Sequence, residues 1–219
     1  MKNLLKIVVV LFMTILTIVS CDNNETNETI LNSTNRKSEL YSESEILKVL
    51  NNNTAEVECK GSCNDCTMIV SLVTGIGQCG CNDCKLVIST RQSNGNINED
   101  IKDKEKLIQS LYNLDFFQSS YTRFLEYSEK KYGVKAIKSE GIEFYSNDDV
   151  IAVLFKFKDT KGELQSVMYS QTINTEGKVL GPKFEIDCTG SCGCKEQFNF
   201  NTGTASCSCA DCVMTVTQI

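Results

Sequence analysis

One cysteine pattern occurs twice in this chain, and it constrains the fold more than any other feature. Cys59, Cys63, Cys66, Cys79, Cys81 and Cys84 are spaced C-x3-C-x2-C-x12-C-x-C-x2-C. Cys188, Cys192, Cys194, Cys207, Cys209 and Cys212 are spaced C-x3-C-x-C-x12-C-x-C-x2-C. Gly61-Ser62 aligns with Gly190-Ser191, Thr74-Gly75 with Thr202-Gly203, and Asp83 with Asp211, so one structural unit is repeated. With the strand that follows its last cysteine, each module spans about 32 residues. Below roughly 40 residues a chain rarely folds on apolar burial alone and needs disulfides or metal. Six cysteines supply three bridges per copy, each closing a loop worth about 3 kcal/mol in the chain-entropy model. Cys79 and Cys81 lie on one face of a strand, so each is expected to pair with the earlier limb. Otherwise about 15 connectivities are open per copy.

Between the cysteines the pattern is that of strands. Thr67–Val73 is rich in Val, Ile and Leu, Thr74–Gly77 is turn chemistry, and Lys85–Thr90 reads as another strand. With a period of two, Met68, Val70 and Leu72 share the face of Cys66, and Leu86 and Ile88 that of Cys84. In the second copy Glu196, Phe198 and Phe200 lie beside Cys194, and Met214 and Val216 share the face of Cys212. Each copy is expected to turn these side chains inward on a small meander.

Metal and redox chemistry are the rivals of structural bridges. Cys59-x3-Cys63-x2-Cys66 has the cluster-binding spacing of radical enzymes that use S-adenosylmethionine, but the second copy is shorter by one residue between Cys192 and Cys194. A stapled turn tolerates that deletion; a three-cysteine cluster does not. Thiolate zinc sites of four cysteines remain an alternative, as does exchange through Cys63–Cys66, Cys81–Cys84 or Cys209–Cys212. Those Cys-x-x-Cys pairs sit in turns between strands rather than at a helix start. Gly75-x-Gly77-x-x-Gly80 has dinucleotide-binding spacing, but strand rather than helix follows it.

The N-terminus addresses the compartment. Met1–Lys6 carries two lysines, and Ile7–Val19 is a largely apolar run of 13 residues. A membrane span needs about 20, so the run fits the core of a signal peptide. Ile18-Val19-Ser20-Cys21 resembles the lipobox of bacterial lipoproteins in order and position. The resemblance covers residues 1–21. It implies cleavage before Cys21, lipidation of that cysteine and acylation of the new amino terminus. Several acyl chains anchor stably where one binds reversibly. A cell-envelope protein on the lipid bilayer follows, at the outer membrane or cell surface ahead of the inner membrane, with Asp22, Glu25 and Glu28 as candidate sorting residues. An exported, oxidising compartment favours structural disulfides among the twelve cysteines left after Cys21.

The expected organisation is a signal peptide over 1–20, a flexible tether over 21–42, a first cysteine-rich β module with a short leading helix over 43–91, a central domain over 92–187 and a second module over 188–219. The tether is Asn, Thr, Ser and Glu with few apolar residues, and about 20 such residues reach roughly 25 Å. Glu43–Leu50 reads as a short helix with Ile46, Leu47 and Leu50 on one side. In the central domain Glu99–Leu114 reads as a helix. A second, capped by Ser119 or Ser120 and closed by Gly133, carries the stripe Tyr121, Phe124, Leu125 and Tyr132, the pattern of a buried helix face. Weak strands follow at Lys135–Lys138 and Ile142–Tyr145. A strong one spans Val150–Lys158, with Ile151, Val153, Phe155 and Phe157 alternating inward. Turns at Asp159–Gly162 and Asn174–Gly177 separate strands Glu163–Ile173 and Lys178–Ile186. Asp148 and Asp149 read as turn residues. The class is α+β, a two-helix and antiparallel-meander centre flanked by two stapled β modules. The order is similar to cystatin-like folds in architecture alone, which transfers no function.

Composition narrows the chemistry. The chain has no His, which removes imidazole catalysis and imidazole metal ligation. Its net charge is -6, and -8 once Lys2 and Lys6 leave with the signal segment. An acidic chain without a basic stripe argues against nucleic-acid binding. No pattern gathers the remaining carboxylates, Lys, Tyr and Cys into a catalytic set, and no cofactor is expected. The sequence therefore reads as a non-enzymatic envelope lipoprotein, a binding or structural module for a protein or glycan ligand. The alternative is a thiol-based metal-binding or redox protein.

Overall fold

The computed structural model describes residues 40–51, 53–62, 66, 68–71, 76–80, 83–92, 103–134 and 139–219. The signal segment, Cys21, the tether up to residue 39, the start of the expected 99–114 helix, Cys63, Cys81 and the expected 135–138 strand lie outside the described residues. Three helices and a mostly antiparallel set of strands make up the rest. In chain order they are α1 (Glu43–Leu50), β1 (Asn53–Gly61), β2 (Met68–Ser71), β3 (Ile76–Cys79) and β4 (Cys84–Gln92). Then come α2 (Lys104–Tyr112), α3 (Asp115–Tyr132), β5 (Ser139–Ser146), β6 (Val150–Lys158) and β7 (Leu164–Ile173). The chain ends with β8 (Val179–Thr189), β9 (Glu196–Asn199), β10 (Thr204–Cys207) and β11 (Val213–Gln218).

The helix ends follow local chemistry. Ser42 and Glu45 form a capping box at α1: the Ser42 hydroxyl accepts from the Glu45 N–H at 3.4 Å, and the Glu45 carboxylate accepts from the Ser42 N–H at 2.7 Å. The Ser42 hydroxyl also donates to the Glu45 carboxylate at 2.7 Å, and that bond, followed by the one from the Ser42 N–H, holds the Glu45 carboxyl below its ordinary range. Gly133 ends α3 at φ +70°, a left-handed conformation that suits glycine. The start of α3 differs from the expected Ser cap. It begins at Asp115 behind Leu114, which makes no side-chain cap. Ser119 and Ser120 lie inside the helix, and the Ser119 hydroxyl donates back to the Asp115 carbonyl at 2.8 Å. The longer helix brings Phe116 and Phe117 into the apolar stripe, both buried.

Nine of the described strands form one sheet, in the order β11-β8-β7-β6-β5-β1-β4 with the β2–β3 hairpin joining where Met68 pairs with Ser139, and β9 and β10 pair as a separate two-stranded sheet. The outer strands of the two cysteine-rich stretches, β4 and β11, are thus the two ends of a continuous sheet, while β9 and β10 of the second copy stand apart from it. β1 is long enough to pair β4 on one side, from Asn53↔Gln92 to Gly61↔Cys84, and β5 on the other, from Thr54↔Tyr145 to Val57↔Ile142. β8 likewise pairs β7 and β11. The described residues cluster as one compact unit.

Both faces of the central strands are covered. On the helix side Ile151, Val153, Phe155 and Phe157 of β6 are fully buried with Phe117, Phe124, Ile142 and Phe144. Phe124 of α3 stacks on Phe155 with centroids 4.5 Å apart. On the opposite face Tyr145, Ala152, Leu154, Met168 and Ile186 meet Phe198, Phe200 and Ala205 of the β9–β10 segment. That second layer explains why Ala152 and Leu154 are buried although a one-sided sheet would expose them.

The repeat holds in three dimensions. Cys59 faces Leu86 across β1 and β4, and Cys188 faces Met214 across β8 and β11. Met68 faces Cys79 in the first hairpin, and Glu196 faces Cys207 in the second. These four pairings are equivalent positions in identical register. Four antiparallel steps separate β1 from β8, so the two run parallel, while β4 and β11 lie outside them at opposite ends. A module of fixed hand can occupy both ends only if one copy is turned over about the strand axis. Its hairpin then covers the opposite face, which is what the packing shows: Met68 joins the helix-side cluster, whereas Phe198 and Phe200 join the other.

The glycine shared by the two copies has a matching cause. A Cβ on Gly190 would lie 2.6 Å from the Asp211 carbonyl oxygen and 2.7 Å from Cys194 Sγ. A Cβ on Gly61 would meet the equivalent Asp83 carbonyl, with Cys84 Cα at 2.7 Å. The absent side chain lets the outer strand close on the inner one.

One expectation fails at β11. Met214 and Val216 were expected inward with Cys212, yet they are 45% and 51% exposed and every residue of the strand is exposed. At the other end helix α2 packs on β4 and buries Ile88 and Thr90. β11 packs chiefly on β8 and β10, so neither face of it is sealed.

Candidate functional site

Two features stand out at the second module: a cleft roofed by the β9–β10 hairpin, and a cluster of sulfurs beside it. The cleft has a volume of about 550 Å³ and lies over β5, β6 and β7. Its floor is Glu143, Tyr145, Leu154 and Lys156, the side chains that alternate away from the helix layer. Leu164, Gln165 and Ser166 form one wall, and Lys195 to Phe198 with Ser208 form the other.

Asn147 positions the roof. Its Oδ1 accepts from the Asp149 and Val150 N–H groups at 3.0 and 2.9 Å, shaping the β5–β6 turn that also holds Asp148. Its Nδ2 donates to the Phe200 carbonyl at 3.1 Å, tying that turn to the hairpin. Tyr145 stacks against Phe198 with centroids 5.5 Å apart.

The charges of the floor satisfy one another. Glu56 and Glu143 are cross-strand partners on β1 and β5, an arrangement in which like charges repel. Lys156 relieves it, pairing with Glu56 at 3.0 Å and with Glu143. Burial pulls the Lys156 ammonium down, but its bonds and attraction to Glu143, then to Glu56, outweigh that and leave it raised. The Tyr145 hydroxyl donates to Glu143, and burial followed by that carboxylate pushes the phenol far up.

Glu196 is the unusual group. It occupies the position that Met68 holds in the first copy, where the Tyr112 hydroxyl donates to Met68 Sδ at 2.9 Å. Glu196 is 4% exposed. Its carboxylate accepts from the Cys188 N–H at 2.8 Å and from the Ser166 hydroxyl. Burial nevertheless raises its pKa above the ordinary carboxylate value, because those two bonds recover only part of the lost hydration. In the window between the unfolded and the raised folded pKa, the folded chain binds a proton that the unfolded chain has released. Stability contributed at this position is therefore greatest below the ordinary carboxylate pKa and falls as pH rises through the folded one. Glu196→Gln keeps an acceptor for the Cys188 N–H and removes the charge. Urea unfolding followed from acid to neutral pH is expected to show the wild type losing stability relative to Glu196→Gln as pH rises. Parallel profiles would contradict this origin of the shift.

The cysteines pair in one scheme. Sulfurs at disulfide distance join Cys59 with Cys79 and Cys66 with Cys84 in the first copy, and Cys188 with Cys207, Cys192 with Cys209 and Cys194 with Cys212 in the second. First pairs with fourth and third with sixth in both copies, and second with fifth in the second. Cα separations are 5.7 Å except 6.8 Å at Cys192–Cys209, within the disulfide range. Each bridge ties an earlier limb to a later one, as expected for Cys79. The sulfurs of Cys192, Cys194, Cys209 and Cys212 all lie within 4.8 Å of one another. A metal site needs thiolates, so a metal on these four sulfurs would first require both bridges to be reduced.

No family model, curated protein or solved structure matches this chain.

The site therefore rests on its own geometry. Sequence reading had singled out every cysteine of the cluster but not Glu143, Lys156 or Asn147. These three lie on the one β5–β6 hairpin, but the partners that give them their roles are distant in the chain: Glu56 is 100 residues from Lys156, and Phe200 is 53 from Asn147. Glu196 did carry a signal, as an acidic residue standing where the repeat places Met68.

Proposed function

We propose that this chain is an exported bacterial lipoprotein, anchored by acyl chains on Cys21, that serves as a non-enzymatic binding module of the cell envelope. The observation that carries the reading is Ile18-Val19-Ser20-Cys21 directly after a 13-residue apolar run. The bridges support it, since they require the oxidising conditions met after export. The cleft over β5–β7 is the proposed ligand site. Phe198 and Leu164 offer apolar contact, and Lys195, Gln197 and Ser208 offer polar contact, a mix suited to a protein segment or a glycan. Its buried ionisable groups are committed to internal partners: Lys156 to two carboxylates, Tyr145 to Glu143, and Glu196 to Ser166 and Cys188.

The test is fractionation of the full chain expressed in a bacterium. Wild type is expected in the membrane fraction with acyl mass on the peptide that begins at Cys21. Cys21→Ser is expected to lose that mass and the anchor. A Cys21→Ser chain that stays on the membrane as wild type does would overturn the lipoprotein reading. The sulfur cluster favours thiol chemistry as a second activity of the same chain.

A further inference from the structure

We propose that the second cysteine module is a thiol–disulfide exchange centre, in which the Cys192–Cys209 and Cys194–Cys212 bridges trade partners when an external thiol attacks. The inference rests on how the two bridges face each other. Cys209 Sγ lies 3.0 Å from Cys212 Sγ, Cys192 Sγ lies 3.5 Å from Cys212 Sγ, and Cys192 Sγ lies 3.9 Å from Cys194 Sγ. A sulfur released from one bridge is thus already beside a sulfur of the other. Such proximity replaces a bimolecular encounter with an intramolecular one.

The order of events follows from access. Cys192 is exposed, and its three neighbours are half-buried. An incoming thiolate attacks Cys192 Sγ and forms a mixed disulfide there. The Cys192–Cys209 bond breaks, and Cys209 leaves as a thiolate with the electron pair. Cys209 then attacks Cys212 Sγ. A Cys209–Cys212 bond forms, the Cys194–Cys212 bond breaks, and Cys194 leaves as the thiolate. Each step exchanges one S–S bond for another, so no electrons enter or leave.

The rest of the module tolerates the trade. Cys188–Cys207 stays out of the four-sulfur cluster, and Cys188 is 7% exposed. That bridge keeps β8 tied to β10 while the outer pair exchanges. In the first copy Cys84 is 9% exposed, whereas its equivalent Cys212 is half-buried. Among the described residues the sixth cysteine of the motif is therefore the more open in the second copy. The ligand class is a thiol, from a small molecule or from an exposed cysteine of a protein.

The experiment uses the full chain. Cys192→Ser leaves Cys209 without its covalent partner. After incubation at mildly alkaline pH, acid quench and alkylation, the expected label is divided between Cys209 and Cys194. In Cys188→Ser the label is expected to stay on Cys207, with migration at least about tenfold slower. Label confined to Cys209 in Cys192→Ser, or equal migration in both variants, would overturn the proposal. Wild type covers the case of a variant that fails to fold. Treated with reduced glutathione, and separately with a peptide bearing one cysteine, it is expected to give a mixed disulfide at Cys192 and a free thiol at Cys194 or Cys209. Adduct with glutathione alone assigns a small thiol, and adduct with the peptide assigns a protein thiol. No adduct from either while the chain remains folded would overturn the proposal.

Discussion

Full reduction of the folded chain is expected to lower its thermal midpoint by about 12–24 °C. The described bridges close loops with sequence separations of 17 to 20 residues. Each such closure contributes about 3 kcal/mol in the chain-entropy model. Bridges within one copy span overlapping segments, so their contributions do not add in full. Counting a single closure per copy gives about 6 kcal/mol for two copies. For a domain of this size 1 kcal/mol corresponds to about 2–4 °C. The total stability of a domain is only about 5–15 kcal/mol, so the reduced chain stands near the edge of folding. Differential scanning calorimetry with and without a strong reductant checks this. Equal midpoints would mean that the core alone holds both ends of the sheet.

Phe155→Ala is expected to destabilise the chain by about 3–5 kcal/mol. Phe155 is fully buried, stacked on Phe124 and within 6 Å, ring centre to ring centre, of Phe117, Tyr121 and Tyr169. Removing it opens the seam between α3 and the sheet, and the rings around it sit on both layers. The loss combines the transfer of a large apolar group with the cavity left behind. Leu180→Ala is the contrast. Leu180 is 68% exposed, and its loss is expected to stay within about 0.5 kcal/mol. Urea unfolding of both variants under oxidising conditions reads the difference. A loss of under about 1 kcal/mol at Phe155 would contradict the assignment of this cluster as the core.

What could be read from the sequence was local. The short helix Glu43–Leu50, the strand Val150–Lys158, the turns ending in Gly162 and Gly177 and the glycine stop of α3 all follow from neighbours in the chain. Features set by distant pairing could not be read this way. β1 looks polar as Asn-Thr-Ala-Glu-Val-Glu-Cys-Lys-Gly, yet Ala55 and Val57 are fully buried because helices cover it and β5 flanks it. The start of α3 carries no side-chain cap, so Phe116 and Phe117 had no local marker. The outer strands β4 and β11 became the two ends of one sheet because β1 and β8 each pair on both sides. Met214 and Val216 follow the repeat pattern but not the repeat environment, since the helix layer that covers β4 is not matched over β11. At the candidate site the cysteines announced themselves by spacing. The charge set of Glu143 and Lys156 with Glu56 did not, because Glu56 reaches the β5–β6 hairpin only through the pairing of β1 with β5, 100 residues of chain from Lys156.

The central claim is that one crosslinked unit of fixed hand serves twice, closing the sheet at either end on opposite faces. Disulfide mapping by mass spectrometry on the oxidised full chain, digested at acid pH to freeze exchange, tests it most directly. The account predicts Cys59–Cys79 and Cys66–Cys84 in the first copy, Cys188–Cys207 with Cys192, Cys194, Cys209 and Cys212 paired among themselves in the second, and by the repeat Cys63 with Cys81. Bridges running between the two copies, or free thiols in stoichiometric amount at these positions, would contradict it.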